Sequence, residues 1–223
     1  YMLNSAKEEV TKSGKKMPTI YTGDNYAWKR MLEKEKLDGV VIATPWEWHV
    51  PMALEVMKQG KYAGVEVSAT VTLKESWDLV NMYEKTGSHC MILENVCFRR
   101  DVMATLNMVR QGMFGTLSHV QCGYQHDLRE VKFNNGKQAY GGGVEFGANG
   151  FSEAKWRTQH SVDRNGDLYP THGLGPVAEM RKSMPPDWSC SNCESMDASV
   201  NSCAAVLSSV SAEAPRTSLT PAT

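Results

Sequence analysis

At 223 residues, 41% hydrophobic and 22% charged, with a formal net charge of −1, the chain has the composition of a packed globular protein. Its Lys and Arg are scattered, which excludes a basic face for nucleic acid or an anionic membrane, and no apolar run approaches the roughly 18 residues of a spanning helix. No charged-then-apolar leader opens the sequence, and it starts at Tyr1 rather than Met, so an upstream segment is expected and the compartment stays undecided.

Residues 1–16, rich in Lys, Glu and Ser, predict a surface helix ending near Gly14. "PTIYTG" (18–23) reads as a short strand. Asp24 then stands as an N-cap before "NYAWKRMLEKEKL", in which Tyr26, Met31 and Leu37 fall near one face. Gly39 to Thr44 is a short apolar run bounded by Gly and Pro, the pattern of a buried parallel strand. In "HVPMALEVMKQGK", Val50, Ala53, Leu54 and Met57 recur at helical spacing, and Gly60 is the stop.

A second strand is expected at 62–69. A helix follows, marked by Leu73, Trp77, Val80 and Tyr83 at i, i+4, i+7 and i+10, and a third strand at 89–98. This alternation of strands and helices predicts a parallel sheet with crossover helices, closed by a further helix in "DVMATLNMVRQG". From about 115 the texture changes. "GTLSHVQCGYQH" alternates like an antiparallel strand. The long Gly-, Asn- and Lys-rich stretch after it carries Tyr140, Phe146, Phe151, Trp156 and Tyr169, which argue for an ordered insertion feeding a helix at 173–182. The Ser/Ala/Pro-rich tail, 185–223, has little to bury and is expected to be disordered.

Six cysteines stand at 90, 97, 122, 190, 193 and 203. Cys190 and Cys193 form a C-x-x-C with no second pair at zinc-site spacing, so no metal is expected. Cys90, Cys97 and Cys122 read as small core residues.

Chemistry-bearing residues gather in two places. The first is the carboxyl ends of the expected strands, where ligands sit in open α/β sheets. Trp46, Glu47, Trp48 and His49 follow the first, Glu66 lies in the second, and Glu94 and Asn95 in the third. Singly, either glutamate could cap a helix or pair with a local lysine; together they outline a cleft. The second is "RTQHSVDRNGDLYPTHG", which brings Arg157, His160, Asp163, Arg164, Asp167, Tyr169 and His172 within 16 residues. Tyr169-Pro170 favours an extended dipeptide, and a Tyr and a His three apart in such a segment can face one substrate as an acid–base pair. A dinucleotide fold would open on strand, G-x-G-x-x-G and helix, and no such motif occurs near the N-terminus.

The words "ATPWEWH", "VEVSATVT", "ENVCFRRDVMA" and "FGANGFSEAKWRTQHSVDRNGDLYPTHGLGPVA" resemble glycoside hydrolase family 109 over residues 1 to 184. These are NAD-dependent α-N-acetylgalactosaminidases of the Gfo/Idh/MocA oxidoreductase superfamily. The resemblance implies an α/β fold, here an incomplete Rossmann-like parallel sheet followed by part of an α+β substrate domain. It divides the chain into 1–112 (cofactor domain without its first βα unit), 113–184 (partial substrate domain) and the tail.

It also implies a recycled NAD. The sugar C3 hydroxyl is oxidised, the acidified C2 proton leaves, the glycosidic oxygen is eliminated, water adds and the ketone is reduced again. Carried onto this sequence, Trp46, Glu47, Trp48, His49, Glu66, Val67 and Asn95 line the cofactor. Tyr124, Arg157, Tyr169, Pro170, Thr171 and His172 hold a small-molecule or glycan-terminal sugar, with Tyr169 and His172 as the acid–base pair. Glu66-Val67-Ser68 stands where many superfamily members carry Glu-Lys-Pro, so His172 must take the place of the usual lysine base. The alternatives are an NAD(P)-dependent sugar or inositol dehydrogenase, or a truncated, non-catalytic chain. A homo-oligomer is compatible with each.

Overall fold

The three short apolar runs form β1 (Gly39–Ile42), β2 (Tyr62–Val65) and β3 (Cys90–Ile92) in a computed structural model that describes residues 2–117, 119–125, 127–133, 152–165 and 167–181. The strands lie parallel in the order β1-β2-β3, with Gly39 opposite Tyr62 and Val65 opposite Ile92. Parallel neighbours require crossovers, and two helices supply them: α3 (Trp46–Lys58) and α4 (Leu73–Thr86). Around these stand α1 (Met2–Lys12), α2 (Ala27–Lys34), α5 (Arg100–Arg110), α6 (Arg129–Lys132), α7 (Ser152–Asp163) and α8 (Thr171–Arg181).

The core forms where α2 and α3 meet the sheet. Leu32, Ile42, Ala53, Val56, Met57, Ala63, Val65 and Ala69 are buried there, with Met31, Leu37, Leu79 and Met82 packed against them. β2, flanked on both sides, is the most deeply buried strand, whereas Val41 on the outer strand β1 is 72% exposed. Helix α4 begins with a reciprocal cap. Thr72 Oγ1 accepts from the Glu75 N–H at 3.2 Å, while Glu75 Oε2 accepts from the Thr72 N–H at 3.0 Å. It ends on Gly87 at φ 71°, a left-handed position that glycine adopts without strain.

Several expectations are corrected. Residues 15–22 form no strand. A lone extended segment gains nothing without a neighbour, and Tyr21 instead donates to Glu35 Oε1 at 2.7 Å, holding the segment against the end of α2. For the same reason the alternating run at 115–125 stays irregular wherever it is described. Tyr26 is exposed, and Ala27 and Leu32 are the buried positions of α2. The stripe Leu73, Trp77, Val80 and Tyr83, which marked α4 in the sequence, faces solvent, with Trp77 59% exposed; Leu79 and Met82 make the core contact.

Strands β2 and β3 are shorter than the runs that predicted them. Residues 66–72 turn over the sheet edge, and Asn95–Phe98 forms a 3-10 turn. Residues 152–163, read as part of an irregular insertion, form helix α7, while the Gly-rich run 141–147, the C-x-x-C and the tail lie outside the described residues. Among the described residues, no helix is long and apolar enough to cross a membrane.

Candidate functional site

The carboxyl ends of the strands do converge, but through helices more than loops. Trp46 to His49 are the first turn of α3 and not a loop. Pro45 precedes that turn with an extended backbone, a start that its missing N–H does not penalise. Trp46 is buried to 5% exposure, and its ring is surrounded. Trp156 meets it edge-on at 5.0 Å between centroids, His160 lies at 5.2 Å, Tyr169 at 5.9 Å, and the Arg157 guanidinium stands over it at 5.2 Å. Arg157 also lies 4.7 Å from the Trp156 ring. Trp156, Arg157 and His160 reach one site because i, i+1 and i+4 share a side of α7. Glu47, half exposed, has Oε2 3.6 Å from His160 Nε2, while the other ring nitrogen of His160 accepts from Arg164 Nη1.

His49 lies behind this wall, 1% exposed. Its Nδ1 is 2.6 Å from the Ser68 carbonyl oxygen and its Nε2 2.8 Å from that of Thr44, so it staples the turn after β1 to the turn after β2. Carbonyls only accept, and a neutral imidazole donates to one of them at a time. The ring therefore offers no free nitrogen to a ligand. Trp48 is likewise engaged, edge-on to Tyr26 at 5.7 Å. Val67 is buried, and Glu66 is half-buried with Oε2 accepting from the Val67 N–H at 3.2 Å. Asn95 is exposed at the start of the 3-10 turn.

Tyr169 and His172 meet as expected, with ring centroids 4.8 Å apart, but not in an extended segment. Asp167 Oδ1 accepts from the Tyr169 N–H at 2.9 Å. The Pro170 carbonyl accepts from the N–H groups of Gly173 and Leu174, so Thr171 and His172 open α8. Tyr124 closes the cluster, edge-on to His172 at 4.6 Å and 6.4 Å from Tyr169. Burial pushes the Tyr169 phenol up to about 12. Glu66, Glu94 and Tyr124 push the same way, and the Arg157 cation opposes them. The phenol therefore keeps its proton at neutral pH.

One partner of the pair escaped the sequence. Glu94, buried, places Oε1 2.6 Å from His172 Nδ1 and accepts from the Val96 N–H with the same oxygen at 2.9 Å. Glu94 was expected singly to cap a helix or pair with a local lysine; it caps a 3-10 turn instead, and nothing in the sequence couples positions 94 and 172. Of the other charged residues in the second cluster, Asp163 accepts from the Gln159 side chain at an exposed position. A shallow depression of about 840 Å³, lined by Glu33, Lys36, Asp38 and Lys61 among others, lies at the opposite end of the strands and contains none of these residues.

A parallel sheet with helical crossovers and polar groups at its carboxyl edge is the Rossmann-like class of α/β protein. Residues 98–200 match the family model for the C-terminal domain of glycosyl hydrolase 109, so the likeness runs past residue 184, where the resemblance was expected to end. Among curated proteins, the chain is 58% identical over 181 residues to a glycosyl hydrolase family 109 protein of Stenotrophomonas maltophilia, covering 79% of this chain and 40% of that one. It is 57% identical over 180 residues to an α-N-acetylgalactosaminidase of Tannerella forsythia, covering 79% and 38%. Over the matched residues the chain is similar to glycosyl hydrolase family 109, and it spans about two-fifths of the length of those relatives. Similar solved structures include myo-inositol 2-dehydrogenase from Lactobacillus plantarum (18% identical, TM-score 0.44, covering 53% of this chain and 34% of that chain) and an NAD-binding protein from Listeria innocua (23% identical, TM-score 0.40, covering 57% and 38%).

Proposed function

We propose that this chain carries part of the cofactor sheet and the sugar-facing residues of an NAD-dependent α-N-acetylgalactosaminidase. The observation that carries the reading is the Tyr169–His172 pair, in which the phenol holds its proton and the imidazole is backed by a carboxylate. Tyr169 then serves as the proton donor to a sugar oxygen, and His172 accepts the proton from carbon or hydroxyl. This divides two roles that the sequence left undivided. Tyr124, 42% exposed, and the partly exposed Trp156 supply aromatic surface on which the apolar face of a pyranose packs, Trp46 is buried behind them, and Arg157 supplies donors for the sugar oxygens.

The residues fit one end of the cofactor. Glu47, Glu66 and Asn95 have polar side-chain atoms near the strand ends, suited to ribose hydroxyls and a carboxamide. Both ring nitrogens of His49 are engaged by main-chain carbonyls, so His49 holds the wall in place rather than hydrogen-bond the cofactor, and Trp46 and Trp48 pack against protein rings beside it. A pyrophosphate calls for the N–H cradle of a glycine-rich turn at a helix N-terminus, and no G-x-G-x-x-G stands near the start of these 223 residues. When bound, NAD supplies a reversible hydride acceptor. The expected consequence is that this chain alone binds NAD weakly.

The test is incubation with NAD and an α-linked N-acetylgalactosaminide. Free N-acetylgalactosamine without net NADH supports the reading. NADH accumulating in step with oxidised sugar would instead make the site that of a dehydrogenase. Isothermal titration showing tight, stoichiometric NAD binding would overturn the expected weakness.

A further inference from the structure

The contact between Glu94 and His172 goes beyond the proposed acid–base pair, although its use in catalysis rests on that reading. Glu94 leaves β3 and caps the 3-10 turn, and its Oε1 accepts from the Val96 N–H at 2.9 Å. An oxygen already accepting from a main-chain N–H is also an acceptor toward the imidazole 2.6 Å away, so Nδ1 of His172 carries a hydrogen, and in the neutral ring the lone pair is then on Nε2. Both side chains are 9% exposed, which leaves little water to compete for the contact.

The close approach has a visible cause. Gly175 sits almost one turn beyond His172 on α8. A Cβ there would stand 2.7 Å from Glu94 Cγ and 3.0 Å from Cys97 Sγ, closer than packed atoms tolerate. Helix α8 comes near enough for the 2.6 Å contact because residue 175 is glycine. We propose that Glu94 is a positioning residue that holds His172 in its Nδ1–H tautomer, leaving Nε2 as the proton acceptor, and that Gly175 is what admits the helix to that distance. Glu94 itself touches no substrate in this arrangement and acts through His172.

The proposal is read by nitrogen-15 NMR of the imidazoles in the full 223-residue chain, with the His172 signals assigned by their loss in His172→Gln. The wild-type spectrum is expected to show the Nδ1–H tautomer. Glu94→Gln keeps an oxygen for the Val96 cap but loses the charge, and the His172 signals should move to a mixture of tautomers. Gly175→Ala leaves Glu94 intact and should give the same loss by displacing the helix. Circular dichroism melts identify any variant that fails to fold. An Nε2–H tautomer in the wild type overturns the proposal without recourse to any variant. So do unchanged His172 signals in both folded variants. Because the readout needs no turnover, absence of glycosidase activity would overturn the functional reading while leaving this one standing.

Discussion

The Ser68 hydroxyl donates to the Leu168 carbonyl at 2.8 Å, joining residues 100 positions apart in sequence. Ser68 is itself held from behind, because His49 engages its carbonyl oxygen. The segment that delivers Tyr169 is thus fastened to the end of β2 by one side-chain bond. Ser68→Ala leaves the Leu168 carbonyl without that partner and is expected to cost about 1–2 kcal/mol in urea unfolding. Amide exchange over 168–174 should accelerate in the variant; exchange equal to wild type would mean that the bond does not fix the segment.

Tyr169 gives the chain an alkaline signature. Its folded value lies near 12 against an ordinary 10, so folding favours the protonated phenol. A raised value contributes stability that is complete below about pH 10 and is lost as pH climbs toward 12. Stability measured across that window should fall more steeply for the wild type than for Tyr169→Phe. Parallel curves would contradict the burial-driven shift.

Core and surface can be told apart on helices α3 and α4. Met57 is fully buried, and Met57→Ala should cost about 2–5 kcal/mol through lost contacts and a cavity. Trp77, larger but mostly exposed, should change stability by no more than about 0.5 kcal/mol on mutation to Ala. Denaturation midpoints of the two variants decide this. A large loss in Trp77→Ala would show that the α4 stripe is covered in solution.

Thr72 and Glu75 close the N-terminus of α4 reciprocally, and Glu75 Oε2 also accepts from the Val71 N–H at 2.7 Å. Thr72→Ala should remove about 1 kcal/mol, measured by urea denaturation, while Thr72→Ser should retain most of it.

The elements legible in the sequence were those whose cause is local. A short apolar run between Gly39 and Pro45 and a helical repeat ending at Gly60 carry their own reasons. The runs at 18–23 and 115–126 had strand-like composition, but a strand is a property of two segments, and the described residues of these runs pair with no other strand. Helix α7 lacks an apolar stripe because Trp156, Arg157 and His160 are turned to the site, which hid the helix but not its residues. Tyr169 and His172 were named together for an extended segment, whereas their rings meet where the chain turns into α8. Glu94 was not legible as their neighbour, since the contact depends on a missing Cβ at Gly175, 81 positions away (175 − 94).

The outer side of β1 has a practical consequence. Among the described residues this strand pairs only with β2, and Val41 projects 72% exposed from a row of main-chain N–H and C=O groups that no strand covers. Such an edge is a template for another extended chain. At high concentration it should make this polypeptide self-associate through intermolecular strand pairing, and a Val41→Lys change is the substitution that should keep it in solution.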